Sequence, residues 1–309
     1  PPIPGDFTIG FVDWAPVPAD NNMGIWRGVS LVKSKGVSLT ETYVYADFDV
    51  ENPTSADLFI STVLENTSKE EKEITLHGEI EEIIFNYTLT LQGGEKRLIK
   101  LSSENVKELH ILNPRLWWPH NMGNPNLYKI KFLAQVKNIT TASEEVSFGI
   151  RKVTDYLNKN GHRGYRINGK KILIKGAGWV DDLLLANDEV YDEAQILYTK
   201  HMNFNTIRFE GFWGKDEHIY EMCDKHGLLL MVGFSCQWEW SEYLGGKKFN
   251  EDEDGYGGVL EPEEIKLVAG YFKDQVKWLR NHPSIFVYTV GSDRLPHPDL
   301  ELREMAILK

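Results

Sequence analysis

The apolar residues of this chain change their period once, and that change limits what it can fold into. From Gly36 to about Lys152 they recur at every second position. Ala46, Phe48 and Val50 alternate with Asp47 and Asp49; Ile74, Leu76 and Ile80 share one face; Tyr128, Ile130, Phe132, Ala134 and Val136 alternate with Lys129, Lys131, Gln135 and Lys137. Successive strand side chains point to opposite faces, so this pattern predicts half-buried strands of an antiparallel sandwich. Asn52-Pro53, Gln92-Gly93-Gly94 and the stretch from Met122 to Pro125 supply turns between them.

Beyond the segment FGIRKV, Phe148 to Val153, and the polar hairpin YLNKNGHRGY, strands begin to alternate with helices. Ile172 to Ile174 reads as a short apolar strand, followed by a helix capped by Asn187-Asp188 with Val190, Ala194 and Leu197 on one face. Thr206 to Phe209 is the second strand. Asp216 caps a helix through Ile219, Met222 and Cys223 that stops at His226-Gly227, where glycine supplies a left-handed cap. Leu228 to Phe234 is the third strand. Pro262 opens the longest helix, with Ile265, Val268, Phe272, Val276 and Leu279 at three- and four-residue steps. Ile285 to Val290, short, β-branched and aromatic, reads as a fourth strand buried on both faces, and Asp299 to Ile307 as its helix. Four such units make half of an eight-stranded barrel or a small open sheet.

At 309 residues with 41% hydrophobic side chains, the chain can fill about two cores. A net charge of -12 disfavours nucleic acid and anionic lipid as partners and suits a neutral or cationic substrate. Cys223 and Cys236 make neither a disulfide framework nor a metal motif, and no cofactor is implied. No apolar run reaches a membrane span. The sequence starts without Met and ends inside a helical pattern, so it reads as cut at both ends, with any export signal upstream.

Several motifs carry a family resemblance. The run NHPSI, Asn281 to Ile285, followed by a strand and Gly291-Ser292-Asp293, resembles the fourth barrel strand of glycoside hydrolase family 2. Most members end it in Asn-Glu; the Ser-Asp form resembles the exo-β-D-glucosaminidase branch, in which that aspartate is the general acid/base. LWWPHNMGNPNLY, Leu116 to Tyr128, is similar to a motif of the same family, as are FGIR, NGKKILIKGAGW and NFNTIRFEGFW. The resemblance implies a multidomain chain: residues 1-34 as the tail of an N-terminal sugar-binding jelly roll, 35-152 as an immunoglobulin-like β-sandwich, and 153-309 as strands one to four of a (β/α)8 TIM barrel. A secreted or periplasmic protein is expected. Trp117 and Trp118 are expected to pack rather than to bind sugar.

Barrel chemistry gathers at the carboxyl ends of the strands. Residues there are Trp179 and Asp181 after the first strand; Arg208, Glu210 and Trp213 at the second; Trp238 and Glu239 after the third; Asp293 after the fourth. Flat aromatic rings stack on sugars, and carboxylates and arginine fork onto hydroxyls. Glu210 is expected either to meet the cationic 2-amino group of a glucosamine or to pair structurally with Arg208. Asp293 taken alone would equally be an N-cap opening the next helix. The loop NEDEDGYGGVLE places Asn250, Asp252, Asp254 and Glu261 at calcium-loop spacing, departing from it at positions 1 and 8.

The resemblance implies an exo-acting hydrolase of β-linked glucosamine in chitosan-type oligosaccharides, retaining in mechanism, with Asp293 as acid/base. Its nucleophile would be a glutamate at a seventh strand that this sequence lacks, so the chain alone is expected to be inactive. A β-mannosidase or β-galactosidase, or a non-catalytic carbohydrate-binding fragment, are the other readings.

Overall fold

The computed structural model describes residues 28–180, 188–209, 216–234, 256–257, 261–291 and 295–308. Two compact units divide it. One comprises Val29–Leu173 together with Arg280–Pro283, and the other takes in Ile174–Leu279 and Ser284–Lys309.

In the first unit, β1 (Ser38–Asp47), β2 (Ser55–Glu65), β5 (Lys96–Leu101) and β6 (His110–Leu112) form one antiparallel sheet, with β1 at its edge and β2 pairing β1, β5 and β6. β3 (Lys72–Ile80), β4 (Ile83–Leu91), β7 (Tyr128–Val136) and β8 (Ile139–Phe148) form a second, in the order β4-β3-β7-β8. Inward residues of both sheets share one core: Leu58, Leu64, Ile74, Leu76, Ile80, Ile130, Phe132 and Ala134 are buried in a single cluster. At about 1.5–3 kcal/mol for each large side chain removed from water, this shared face holds the sandwich together. The alternation around Lys129 and Lys131, both exposed, is the pattern read in the sequence. Trp117 is fully buried within this unit, with its backbone N–H on the Ile150 carbonyl at 2.9 Å.

A three-stranded antiparallel sheet follows, β9 (Val153–Leu157), β10 (Arg163–Ile167) and β11 (Lys170–Ile172), in the order β11-β10-β9. It corrects the first-strand assignment. Ile172 belongs to this hairpin, and the strand that joins the parallel sheet is β12, Gly176–Gly178. Apolar patterning passes over a Gly-Ala-Gly strand, whose residue types answer to space: a Cβ on Gly176 would lie 1.9 Å from the Thr206 carbonyl oxygen.

The second unit is a parallel sheet with helices. β12, β13 (Thr206–Phe209), β14 (Leu229–Gly233) and β16 (Ile285–Thr289) stand in that order, while β15 (Tyr256–Gly257) pairs with β17 (Leu295–Pro296). The helices are α1 (Glu189–His201), α2 (His218–His226), α3 (Pro262–Leu279) and α4 (Pro298–Ile307). Asp188 caps α1 by accepting from Val190 and Tyr191 N–H groups at 2.8 and 3.1 Å. Asp216 accepts from His218 N–H at 3.0 Å at the start of α2, which ends at Gly227 with φ 70°. Ile265, Val268, Phe272, Val276 and Leu279 of α3 are all buried. Two expectations are corrected. The face of α1 carrying Val190, Ala194 and Leu197 is exposed, and the buried residues are Asp192 and Ile196. β16 is buried only at Ile285 and half-buried beyond it, because it stands at the edge of the described sheet. Among the described residues no helix is long and apolar enough to cross a membrane.

Candidate active site

Parallel pairing brings the carboxyl ends of β12, β13, β14 and β16 to one edge of their sheet. Gly178 stands opposite Arg208, Arg208 opposite Met231, and Gly233 opposite Thr289. The ladder continues past the strand ends, where Trp179 N–H donates to the Arg208 carbonyl and Phe234 N–H to the Thr289 carbonyl, both at 2.9 Å. Whatever follows these four strands therefore leaves from a common rim.

Alternation sorts the side chains. Ile207 and Phe209 share a core cluster with Ile219, Tyr220 and Cys223 of α2, and Leu228, Leu230 and Val232 join them. Arg208, between Ile207 and Phe209, is thus directed to the other face of the sheet, where it is half-buried. Trp179 is 8% exposed and packs edge-on against Phe209, with ring centroids 6.0 Å apart. Its indole N–H is buried without a hydrogen-bond partner. The core behind β13 thus takes much of the ring, which also lines a cavity on that side of the sheet. The Cys223 thiol is fully buried, and burial pushes its pKa well up, as an inert core cysteine requires. Asp181, Glu210, Trp213, Cys236, Trp238, Glu239 and Asp293 lie outside the described residues, as do Asn250, Asp252 and Asp254 of the calcium-like loop. Glu261 is described and exposed, immediately before α3.

The strand ends are held by buried polar side chains that the sequence reading passed over. Gln275 of α3 is 6% exposed and donates through Nε2 to the Gly233 carbonyl at 3.0 Å. Asn205 accepts from Lys175 N–H at 2.9 Å, and Asp224 accepts from Ser284 N–H at 2.9 Å. Each satisfies a backbone group that would otherwise be buried and unpaired. A polar residue on a core-facing helical step, such as Gln275 beside Phe272 and Val276, was the available signal.

A cavity of about 520 Å³ lies against β12 and α1, lined by Trp179, Ala194, Gln195, Tyr198, Met202 and Phe204 among others. Among the described residues the lining carries no carboxylate. Among the described residues no three His, Cys, Asp or Glu side chains gather as metal ligands.

The chain, an antiparallel sandwich followed in sequence by parallel strands that end at one rim, belongs to glycosyl hydrolases family 2. The family model matches residues 37–151, and the model of the family's TIM barrel domain matches residues 162–306. In particular, the chain is similar to the exo-β-D-glucosaminidase of Streptomyces avermitilis, with 31% identity over 98% of its own length and 33% of the relative's. A mannosylglycoprotein endo-β-mannosidase of Lilium longiflorum is 28% identical over 93% of the chain and 30% of the relative. The crystal structure of Amycolatopsis orientalis exo-chitosanase superposes with a TM-score of 0.84 at 26% identity, covering 97% of this chain and 34% of that one. The chain thus spans about a third of the length of the relatives it matches.

Proposed function

We propose that the protein to which this chain belongs is a retaining exo-β-D-glucosaminidase, with Asp293 as its general acid/base. The carrying observation is similarity to an exo-β-D-glucosaminidase along 98% of the chain, joined to the Gly291-Ser292-Asp293 ending of the fourth strand. In this reading residues 35-152 are the immunoglobulin-like spacer, β12, β13, β14 and β16 are the first half of the eight-stranded barrel, and residues 1-34 end a jelly roll.

The chemistry follows from two carboxyl groups roughly 5 Å apart. A second carboxylate attacks the anomeric carbon while Asp293 gives its proton to the departing glycosidic oxygen. Asp293, now ionised, then takes a proton from water, which releases glucosamine and restores the nucleophile. Glu210 and Arg208, at the end of β13, are assigned to the sugar in the pocket, the carboxylate to its 2-ammonium group. The acidic balance of the chain, -12, suits a polycationic substrate. Such a polymer is met outside the cytoplasm, which supports a secreted or periplasmic enzyme.

The test compares aryl β-glucosaminide with aryl β-mannoside on the full-length enzyme. Faster turnover of the glucosaminide is expected. Equal or faster turnover of the mannoside would replace the reading by the β-mannosidase one, which the similarity to mannosidases keeps in view.

A further inference from the structure

The hairpin sheet of β9, β10 and β11 runs against the charge of the chain that carries it. Between Val153 and Ile172 stand Lys159, Arg163, Arg166, Lys170 and Lys171 with Asp155 as the single acid, in a sequence whose net charge is -12. Alternation divides the strand residues between two faces. Asp155 and Arg163 share one face with the buried Ile167 and Ile172, and they form an ion pair there. The charged residues that these strands turn to the other face are Arg166 and Lys171.

On that face three strands place three donors in one row. Thr154 stands opposite Arg166, and Arg166 opposite Lys171, so that hydroxyl, guanidinium and ammonium lie side by side across β9, β10 and β11. Like charges directly opposite on neighbouring strands repel. An aromatic ring gathers them all the same. Tyr156, one pleat along from Thr154, faces Gly164, and a Cβ on that glycine would lie 2.5 Å from the ring's Cζ, so the ring fills the space of the missing side chain. The guanidinium carbon of Arg166 is 4.3 Å from the ring centroid and the Lys171 Nζ 5.0 Å. Both cations thus rest on one tyrosine. Among the described residues neither has a carboxylate partner, the ion pair of this sheet being Arg163 with Asp155. Thr154 and Lys171 are exposed and Arg166 and Tyr156 half-buried, so the row is open to solvent and fixed at its centre.

We propose that Thr154, Arg166 and Lys171 form a binding site for a phosphate-type oxyanion, free or carried as a monoester. A dianion placed between guanidinium and ammonium replaces their repulsion by two attractions. The planar fork of Arg166 matches two of its oxygens, while Lys171 and Thr154 donate to others. Tyr156 holds the fork in place before the ligand arrives, which lowers the cost of ordering it. The site lies within the sandwich unit and is independent of the glycosidase reading.

Full-length protein is titrated by calorimetry at neutral pH with inorganic phosphate and, separately, with glycerol 3-phosphate, the ionic strength being held constant with chloride. Saturable binding with a Kd on the order of 1 mM is expected. Arg166→Gln and Lys171→Gln should each weaken it about tenfold or more, and Thr154→Val about threefold. Lys171→Arg keeps the charge and should bind within about threefold of wild type, which separates loss of the cation from loss of the fold. Lys171→Glu gives Arg166 a partner, so it should abolish binding and raise the Tm of the unliganded protein at low salt. Tighter binding of glycerol 3-phosphate marks an ester as the source of the anion and tighter binding of phosphate the free ion; either upholds the site. Heat that does not saturate by about 50 mM, or equal affinity in wild type and Lys171→Gln, is the behaviour of a general salt effect and overturns the proposal.

Discussion

Glu210 stands one residue past β13, and its charge has two incompatible uses. If it meets the substrate's ammonium group, Glu210→Gln replaces a charge-assisted hydrogen bond by a neutral one, and about 1–2 kcal/mol of binding to amino sugars is lost. The expected outcome is a KM raised about tenfold for aryl glucosaminide, with the aryl mannoside rate and the Tm unchanged. If it pairs Arg208 instead, the same change lowers the Tm and both activities together. These positions were singled out in the sequence because barrel chemistry gathers at the carboxyl ends of strands. The burial of Trp179 could not be read from the sequence, because how much of a ring enters the core depends on the space behind β13.

At the scale of elements, α4 holds a buried acid. Glu304 is 1% exposed, both carboxyl oxygens lack hydrogen-bond partners, and it lies one turn from Leu300 in the core that α3 and α4 share. Burial, with Glu301 adding repulsion, raises its pKa from 4.5 to about 8. The folded state thus favours the protonated form. As pH climbs past 4.5 the unfolded carboxyl ionises while the folded one does not, and stability falls until about pH 8, by on the order of 5 kcal/mol. Glu304→Gln should therefore match wild type near pH 4 and gain several degrees of Tm by pH 8 to 9, read by thermal unfolding across the pH range. A second element-scale case is β12, where Gly176→Ala would drive a methyl into the Thr206 carbonyl. That variant should lose more than about 2 kcal/mol in chemical denaturation, since backbone has to move to admit the group.

For the molecule as a whole, charge makes the prediction. With -12 on these 309 residues, a cationic oligosaccharide is attracted at long range, and salt screens that attraction with a Debye length near 10 Å at about 0.1 M. Raising ionic strength should raise KM for a chitosan oligosaccharide and leave KM for a neutral aryl glycoside flat. The period-two stretch and the β-α alternation were both readable because each strand or helix must turn an apolar face to a core. α2, α3, β13 and β14 fell within a residue or two of where capping residues and apolar steps put them. The places where reading failed share a cause. Gly176–Gly178, the exposed face of α1 and the half-buried β16 all answer to what stands beside an element, not to its own propensity.

The sequence by itself determined the two regimes of secondary structure, most helix ends and the short list of polar and aromatic residues past each strand. These follow from local chemistry: alternation of side chains, capping of free N–H groups and the fixed φ of proline. The tertiary structure alone decided which strand begins the parallel sheet, how far Trp179 is buried and which amide completes the edge of β1. Those depend on distances between residues far apart in the chain, as between Thr42 and Asn281, and no local pattern carries a distance.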